Sequence, residues 1–341
     1  FTSGVLNGVT ITNAHTSIGA PINDYHSLGK LEIRNSTISG SSGYYCAFYG
    51  DYTIQGELLS ITNSEFYTGS CDKQLIHLKS WVPGVSVVLD SCSASNFNSG
   101  IRLENIELTA RNLKVKSFSG SSALIEQNSN FTVYDTELLK YDQSGAEFYE
   151  SYSSTVTTPI VVGESSVSIY TSKFKNQIGG LGSTIKMESS NVTIDNCVFE
   201  NSVALEEGGV AYLMKSSLRV YNTQFNKLSS PKGGVFSGTM SSDISVYNST
   251  YNQVSSSTSG GVVFMSSGSI QMFDSQIINS TSPIGGALYI TDPSRVKIQN
   301  SSFSESSAEN FGGAIFIANS KESSTVPQIE NCIFSNNSAN K

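Results

Sequence analysis

The stretch Val192-Thr-Ile-Asp-Asn-Cys-Val-Phe199 decides the fold of this chain, because its pattern recurs downstream with almost no drift. The pattern is apolar, any, apolar, any, Asn or Asp, two further residues, then an aromatic or large apolar residue. It returns as Leu218-Arg-Val-Tyr-Asn-Thr-Gln-Phe225, Ile244-Ser-Val-Tyr-Asn-Ser-Thr-Tyr251, Ile270-Gln-Met-Phe-Asp-Ser-Gln-Ile277 and Val296-Lys-Ile-Gln-Asn-Ser-Ser-Phe303. The Asn or Asp falls every 26 residues, at positions 196, 222, 248, 274 and 300. A fixed period in this range is typical of repeat architectures, in which each unit buries its apolar face against the next.

The residues within each repeat predict β-strands. Apolar and polar residues alternate before each Asn or Asp, as in Leu218-Arg-Val220, and such alternation is typical of a strand with one buried face. No long segment has the spacing of an amphipathic helix. A repeat of 26 residues is too short for a strand-helix-strand unit but suits a coil of two or three short strands joined by turns. We therefore predict an all-β fold, a single-stranded parallel β-helix in which each strand pairs with its equivalent one coil later.

The same pattern extends towards the N-terminus with looser spacing. Intervals there run from 21 to 36 residues, and a last copy spans 327–334, which brings the total to thirteen. We predict one β-helix domain over 1–341, with irregular coils and longer loops over 1–165 and regular coils over 166–341. Residues 141–158 are interpreted as an outward loop. The earlier copies begin at Val9, Leu31, Leu59, Val87, Leu108, Phe131 and Val167.

A second motif, Gly-Gly followed by alternating apolar residues, lies eleven or twelve residues after the Asn or Asp position. Glycine permits positive φ and close backbone approach at a tight corner. We therefore expect another strand of each coil to begin just after the pair. The pairs are Gly208-Gly209, Gly233-Gly234, Gly260-Gly261, Gly285-Gly286 and Gly312-Gly313.

Composition narrows the classes of function. Charged residues make up 14% of the chain and its net charge is -8, and the lack of a basic patch argues against nucleic-acid binding. No apolar run reaches the roughly 18 residues of a membrane span. Because the chain begins at Phe1 and stops within a repeat, we expect it to be a fragment of a longer chain.

The recurring Asn is the first candidate site. If its side chain points inward, the amide can bond the neighbouring turn and the Asn residues above and below it, since a buried amide needs partners. We predict such a structural asparagine ladder in preference to ligand binding. Its members are Asn196, Asn222, Asn248, Asn300 and Asn331.

The residue just before the Asn or Asp is aromatic on three successive coils, as Tyr221, Tyr247 and Phe273. These side chains are predicted to stand about 4.8 Å apart on the solvent face. Two interpretations stay open: a ladder that stabilises the sheet, or a contact strip for a sugar or a partner chain.

The five cysteines form no CxxC pair, so a zinc site is not expected. Cys46 and Cys71 are 25 residues apart, about one coil, and are a candidate disulfide. Their α-carbons must then lie within about 7 Å of each other.

Seven Asn-x-Ser/Thr sites occur, and their position in the repeat separates them. Asn35, Asn248 and Asn300 occupy the ladder position, where a buried amide would leave no room for a sugar. A glycan needs an exposed acceptor in a secreted protein. The predicted acceptors, at a strand start or in the turn after the ladder position, are Asn130, Asn191, Asn279 and Asn336.

The paired motifs resemble the repeats of chlamydial polymorphic outer-membrane proteins, which are marked by Gly-Gly-Ala-Ile and Phe-x-x-Asn. They appear here as Gly312-Gly-Ala-Ile315 and Phe334-Ser-Asn-Asn337. Large repeat-bearing surface proteins of ciliates and other protists are similar. The resemblance covers 190–341 and implies a right-handed β-helix of the pectin-lyase kind. It also implies a secreted or surface protein with a structural or adhesin-like role, and it carries over no catalytic residue.

No catalytic constellation emerges from the sequence. Asp135 and Asp274 are far apart in the repeat order, and the pair Glu206-Glu207 sits in a turn. The three histidines, at 15, 26 and 77, lack a Ser, Cys or metal partner at a telling spacing, which favours a surface or packing role. We therefore predict no enzymatic activity, no metal site and no cofactor.

The open ends of a β-helix expose unpaired strand edges, which are capped or used for stacking. We expect an extracellular or cell-surface structural protein that forms a coat, fibre or stalk through a β-helix rod. The expected partners are further copies or neighbouring coils of the same longer chain, and glycans. The alternative is a carbohydrate-binding or adhesive surface module, and a polysaccharide-active enzyme comes third.

Overall fold

The computed structural model describes residues 3–16, 20–25, 29–43, 47–71, 75–97, 100–118, 122–139, 158–319 and 326–340. These residues form strands and turns, with no helix among them. The chain divides into two compact units, Phe1–Lys173 and Phe174–Lys341, close to the predicted change from irregular to regular coils. The predicted outward loop lies outside the described residues, apart from Thr158.

The N-terminal unit consists of strands of two to seven residues. In chain order they are β1 (Gly4–Asn7), β2 (Thr10–Thr12), β3 (His15–Thr16), β4 (Ile22–Tyr25), β5 (Leu31–Arg34), β6 (Thr37–Gly43), β7 (Phe48–Tyr52), β8 (Gly56–Thr62), β9 (Glu65–Cys71), β10 (Ile76–Ser80), β11 (Val85–Asp90), β12 (Ser93–Phe97), β13 (Ile101–Glu104), β14 (Glu107–Arg111), β15 (Lys114–Phe118), β16 (Ala123–Glu126), β17 (Asn130–Tyr134), β18 (Glu137–Leu139), β19 (Ile160–Gly163) and β20 (Ser166–Tyr170).

Each coil of this unit contributes a strand to three parallel sheets. The first sheet has the order β1-β5-β8-β11-β14-β17-β20, and the second has the order β4-β7-β10-β13-β16-β19. The third joins β2 and β3 to β6, and continues through β9, β12, β15 and β18. Partner residues are between 21 positions apart, as Ser86 and Glu107, and 36 apart, as Asn130 and Ser166. These steps match the irregular intervals of the sequence.

Strand β21 (Lys173–Lys175) spans the boundary, and the C-terminal unit holds the remaining strands. They are β22 (Ile178–Leu181), β23 (Ile185–Glu188), β24 (Asn191–Asp195), β25 (Val198–Glu207), β26 (Ala211–Met214), β27 (Ser217–Tyr221), β28 (Gln224–Lys232), β29 (Phe236–Thr239), β30 (Ser242–Tyr247), β31 (Thr250–Ser259), β32 (Val263–Met265), β33 (Gly268–Phe273), β34 (Gln276–Ile284), β35 (Leu288–Thr291), β36 (Pro293–Gln299), β37 (Ser302–Ser304), β38 (Ser307–Phe311), β39 (Ile315–Ala318), β40 (Gln328–Glu330), β41 (Ile333–Ser335) and β42 (Ser338–Ala339).

The C-terminal unit repeats the three-sheet plan with even steps. Its first sheet has the order β24-β27-β30-β33-β36-β40, and its second β23-β26-β29-β32-β35-β39. The third runs through β22, β25, β28, β31 and β34 to β37 and β38, and then to β41 and β42. Asn191 pairs with Ser217 and Ser217 with Asp243, which are steps of one sequence period.

The predicted all-β parallel β-helix is confirmed, although the number of turns differs slightly from thirteen. The first sequence copy explains part of the difference. Its residues 10–12 form β2, which pairs with β6 in the third sheet. The corner after the first-sheet strand is instead Gly8, whose N–H donates to the Arg34 carbonyl just as Asn35 donates to Thr62. The copy at Val9 was therefore assigned to the wrong strand of its coil.

The predicted register of the core is confirmed. Positions two residues before the Asn or Asp are fully buried, at 0% exposure, for Ile194, Val220, Val246, Met272 and Ile298. Positions three residues after it form an aromatic column, in which Phe199 and Phe225 stack at 5.3 Å, and Phe225 and Tyr251 at 4.8 Å. The buried hydroxyl of Tyr251 has no hydrogen-bond partner among the described residues.

The Gly-Gly pairs are corners, as predicted, and their two members do different things. Gly233 has φ +61°, in the left-handed region that favours glycine. A Cβ on Gly234 would lie 2.0 Å from the Gly261 carbonyl oxygen of the next coil. The first glycine therefore makes the corner, and the second allows successive coils to approach.

Candidate functional site

The predicted asparagine ladder lies outside the coil, which corrects the expectation of buried amides. Asn196, Asn222, Asn248, Asn300 and Asn331 are all exposed, with φ values of +54°, +48°, +47°, +51° and +53°. Each ends a first-sheet strand at a corner that needs the left-handed conformation, which Asn tolerates better than most residues. The repeat therefore selects Asn for its backbone, and the side chain points to solvent.

These exposed amides nevertheless connect neighbouring coils. The Asn248 Nδ2 donates to Asn222 Oδ1 at 2.8 Å, and the Asn222 Nδ2 donates to Asp195 Oδ1 at 2.9 Å. The Asn300 Nδ2 donates to Asp274 Oδ1 at 3.2 Å. Each bond joins two successive coils, so the outer ladder has a cohesive role.

The buried polar ladder is formed by the next residue along the chain. Thr223, Ser249, Ser275 and Ser301 are at most 2% exposed. The backbone N–H of each residue from Thr223 to Ser275 donates to the hydroxyl one coil later at 3.2 Å. Each hydroxyl in turn donates to the carbonyl two residues before it, as Ser249 does to Tyr247 at 2.9 Å. The recurrence of Ser or Thr after the Asn position was the available sequence signal, and it was missed.

The candidate contact strip is a tight stack of rings on the outer face of the first sheet. Tyr221 and Tyr247 lie 4.9 Å apart, and Tyr247 and Phe273 lie 5.1 Å apart, with an interplanar angle of 9° in both pairs. The Lys297 ammonium lies 5.5 Å from the Phe273 ring centroid. Both faces of the central ring are therefore covered by its neighbours, and the rings present their edges to solvent.

A second stack, not anticipated from the sequence, lies on the outer face of the second sheet. Phe264 and Tyr289 are 5.4 Å apart, and Tyr289 and Phe316 are 5.3 Å apart. The Lys232 ammonium lies 5.3 Å from the Phe264 centroid and 2.8 Å from Glu207 Oε1. Alternation after each Gly-Gly pair placed these aromatics at equivalent outward positions, which was the signal available.

The predicted glycan acceptors Asn130, Asn191, Asn279 and Asn336 are exposed. The ladder sites Asn35, Asn248 and Asn300 are exposed as well. Burial therefore does not separate the two groups, and the reason given for bare ladder sites is wrong. Occupancy of the first group stays a prediction.

The candidate disulfide falls outside what the structure describes, because Cys46 and the side chain of Cys71 are not among the described groups. Cys92 and Cys197 are buried free thiols. Burial raises the pKa of the Cys92 thiol to about 11, so it stays protonated at neutral pH. These two cysteines occupy the position of the inner Ser and Thr ladder.

The densest group of charges lies on the outer face of the second sheet in the N-terminal unit. His77 Nε2 and Arg102 Nε each lie 3.0 Å from Glu104 Oε1, and the Lys79 ammonium lies 3.9 Å from Glu104 Oε2. Arg102 Nη2 also lies 3.0 Å from Glu126 Oε2. His77 and Glu104 are only 7% and 6% exposed. We name these five residues the charged cluster.

Burial, opposed by the nearby Glu104 carboxylate, lowers the pKa of His77, so its imidazole is neutral at pH 7. The scattered-histidine interpretation missed this pairing. Its signal was the alternation in Ile76-His-Leu-Lys79 and Ile101-Arg-Leu-Glu104, which places the polar residues on one face of two stacked strands.

Trp81 lies beside the charged cluster, in the turn after β10, and is 64% exposed. Its Nε1–H donates to Asp51 Oδ1 at 2.7 Å, and the Lys79 ammonium lies 4.2 Å from its ring centroid. The indole is thus held by two polar contacts although most of its surface is in solvent.

The described residues include no group of three or more His, Cys, Asp or Glu side chains placed to hold a metal ion. Since they form only strands and turns, they also include no apolar helix of membrane-spanning length.

A family profile described as "Right handed beta helix region" matches residues 158–303 and, in an overlapping match, 188–340. Together the two matches cover more than half of the chain, and the expected right-handed winding is confirmed. Among solved structures, a mutant of the PL6 family alginate lyase AlyGC is similar over 96% of this chain and 90% of that chain. The two are 8% identical, with a TM-score of 0.25. None of the curated protein sequences matches this chain at a significant level.

Proposed function

This chain belongs to the right-handed β-helix family, and we propose that it is an extracellular structural protein that assembles into a surface coat, fibre or stalk. The observation that carries the proposal is the set of ladders along the C-terminal unit. Stacked rings, outer amides and inner hydroxyls all connect one coil to the next. The side chains of the repeat are thus used for cohesion along the coil.

The aromatic strip supports cohesion over ligand contact. A sugar or an apolar partner that stacks on a ring needs an open ring face. Tyr247 has its two faces against Tyr221 and Phe273. Cross-strand aromatic pairs of this kind contribute roughly 0.2–1 kcal/mol each to the stability of a sheet.

The proposed assembly surface is the free edge of the last described turn. Ile329 and Phe334 are 40% and 48% exposed, whereas their equivalents one turn earlier, Ile298 and Phe303, are fully buried. Unpaired strand edges with apolar side chains are ready templates for further pairing. A further turn, supplied by the same longer chain or by the β1 edge of a second copy, would cover them.

The test compares particle size across a concentration series by light scattering and negative-stain microscopy. We expect the chain to associate end to end, and Ile329→Lys with Phe334→Lys to abolish association. The matched control is Gln328→Lys with Ser335→Lys, which adds the same charge to the same strands on the outer face and leaves association unchanged. A parent chain that stays monomeric throughout, or equal effects of the two double variants, would contradict the proposal.

The second candidate function is a carbohydrate-binding or adhesive surface module. The observation that favours it is the exposed and oriented indole of Trp81. The proposal includes no enzymatic activity, and a polysaccharide-active enzyme remains the third candidate.

A further inference from the structure

The indole of Trp81 has the features of a stacking platform. It is the one Trp of the sequence, and its 64% exposure contrasts with the half-buried rings of the aromatic strip. The bond from its Nε1–H to Asp51, at 2.7 Å, fixes the plane of the ring. The Lys79 ammonium sits over the ring at 4.2 Å. The ring is therefore oriented before any ligand arrives, which reduces the entropy cost of binding.

Polar groups at the rim of the ring have capacity left for a ligand. Asp51 accepts the indole N–H through Oδ1, and its Oδ2 makes no hydrogen bond within the described residues. An ammonium has three donors, and the nearest carboxylate to the Lys79 ammonium, on Glu104, is 3.9 Å away. A carboxylate and an ammonium beside an aromatic face can bond hydroxyl groups while the ring packs against C–H bonds.

The charges around the platform select against acidic ligands. Asp51, Glu104 and Glu126 supply three negative charges, and Lys79 and Arg102 supply two positive ones. His77 adds none at pH 7, because burial lowers its pKa. Arg102 and Glu104 are also paired with each other. The site therefore offers no unpaired cation to a uronate or sulfate group.

We propose that Trp81, Asp51 and Lys79 form a binding site for a neutral pyranose sugar, which we call the Trp81 platform. The apolar face of the sugar packs on the indole, and its hydroxyls bond Asp51 and Lys79. This inference does not depend on the proposed assembly function, since the platform lies in the N-terminal unit and the assembly edge of β40 and β41 in the C-terminal unit.

The single Trp makes its own fluorescence a specific reporter of this site. The full chain is titrated with three neutral trisaccharides, cellotriose, mannotriose and triacetylchitotriose, and with acidic trigalacturonate. We expect at least one neutral trisaccharide to change the Trp emission saturably, with affinity about tenfold or more above that for trigalacturonate. No change with any neutral trisaccharide, or tighter binding of trigalacturonate, would overturn the proposal.

Variants separate the platform from a general effect on folding. Asp51→Asn keeps the reporter and should weaken binding about tenfold, whereas Val5→Ala, which trims an apolar side chain of similar exposure in the same unit, should leave it unchanged. Trp81→Ala is followed by calorimetry, with far-UV circular dichroism as the folding control, and should bind no sugar. Unchanged affinity in folded Asp51→Asn and Trp81→Ala would overturn the site. The Ile329→Lys, Phe334→Lys variant should bind sugar normally, so failure of assembly and failure of the platform are distinguishable.

Discussion

Replacing Tyr251 by Phe should stabilise the protein. Tyr251 is fully buried in the inner aromatic column, between coils in which Phe225 and Phe303 hold the equivalent position. Its hydroxyl has no hydrogen-bond partner among the described residues. Phe keeps the ring and its stacking on Phe225, and it removes only the unsatisfied oxygen.

The expected gain follows from the cost of an unpaired buried polar group. Such a group costs about 1–3 kcal/mol, so the free energy of unfolding of Tyr251→Phe should rise by about that amount at pH 7. Urea unfolding followed by far-UV circular dichroism measures it. The matched control is Tyr247→Phe on the outer face of the same coil, which should change stability by less than about 0.5 kcal/mol.

The difference should grow in alkali. Burial raises the pKa of Tyr251 well above its ordinary value, whereas in the unfolded chain it titrates near pH 10. Above about pH 10 the unfolded state loses this proton first, and the parent loses about 1.4 kcal/mol per pH unit through it. Phe has no such proton. A Phe variant that is less stable than the parent, or whose advantage shrinks above pH 10, would refute the reasoning.

Three further substitutions test the ladders and corners. Val246→Asp places an unpaired charge in the core and should cost about 3 kcal/mol or more, seen as lost hydrogen-exchange protection around β30. Gly234→Ala should unfold at clearly lower urea than Gly163→Ala, since an added Cβ meets a carbonyl oxygen at 2.0 Å in the first and nothing within 4 Å in the second. Tyr247→Ser should lower stability by about 1–2 kcal/mol without changing association or sugar binding, and loss of either would restore the contact-strip interpretation.

The alternation of apolar residues was enough to predict the buried face and the register. In Ile244-Ser-Val246 the outward Ser and the inward apolar residues lie where the period of two places them. The Gly-Gly pairs were equally informative, because a corner with positive φ and a close approach leaves few residues other than glycine possible. These features are local, so the sequence contains them.

The facing of the Asn residues was mispredicted for an equally local reason. Repetition of Asn248 and its equivalents was attributed to amide hydrogen bonds in a core, although a left-handed corner explains the same preference. The buried ladder belongs to the next residue, Ser249, whose hydroxyl satisfies the backbone of two coils. A small hydroxyl is common everywhere in this chain, so its periodic recurrence did not stand out.

The candidate site could be predicted only in part, because it depends on coils of unequal length. The pairs His77 with Arg102, and Lys79 with Glu104, are neighbours in register, but the irregular spacing of the N-terminal unit hid that register. Trp81 and Asp51 are 30 residues apart in sequence, and they meet because β7 and β10 are adjacent. Neither residue belongs to the repeating pattern.

Site-specific photo-crosslinking at the free edge tests the assembly proposal most directly. With p-benzoylphenylalanine in place of Phe334, irradiation of the associated chain should give a dimer whose crosslinked peptides come from 334 and from the β1 and β2 region of a second copy. Placed at Ser335, on the outer face of the same strand, the same group should give little such product. No dimer from the Phe334 position under associating conditions, or crosslinks that map to the outer sheet faces, would contradict assembly through the edge.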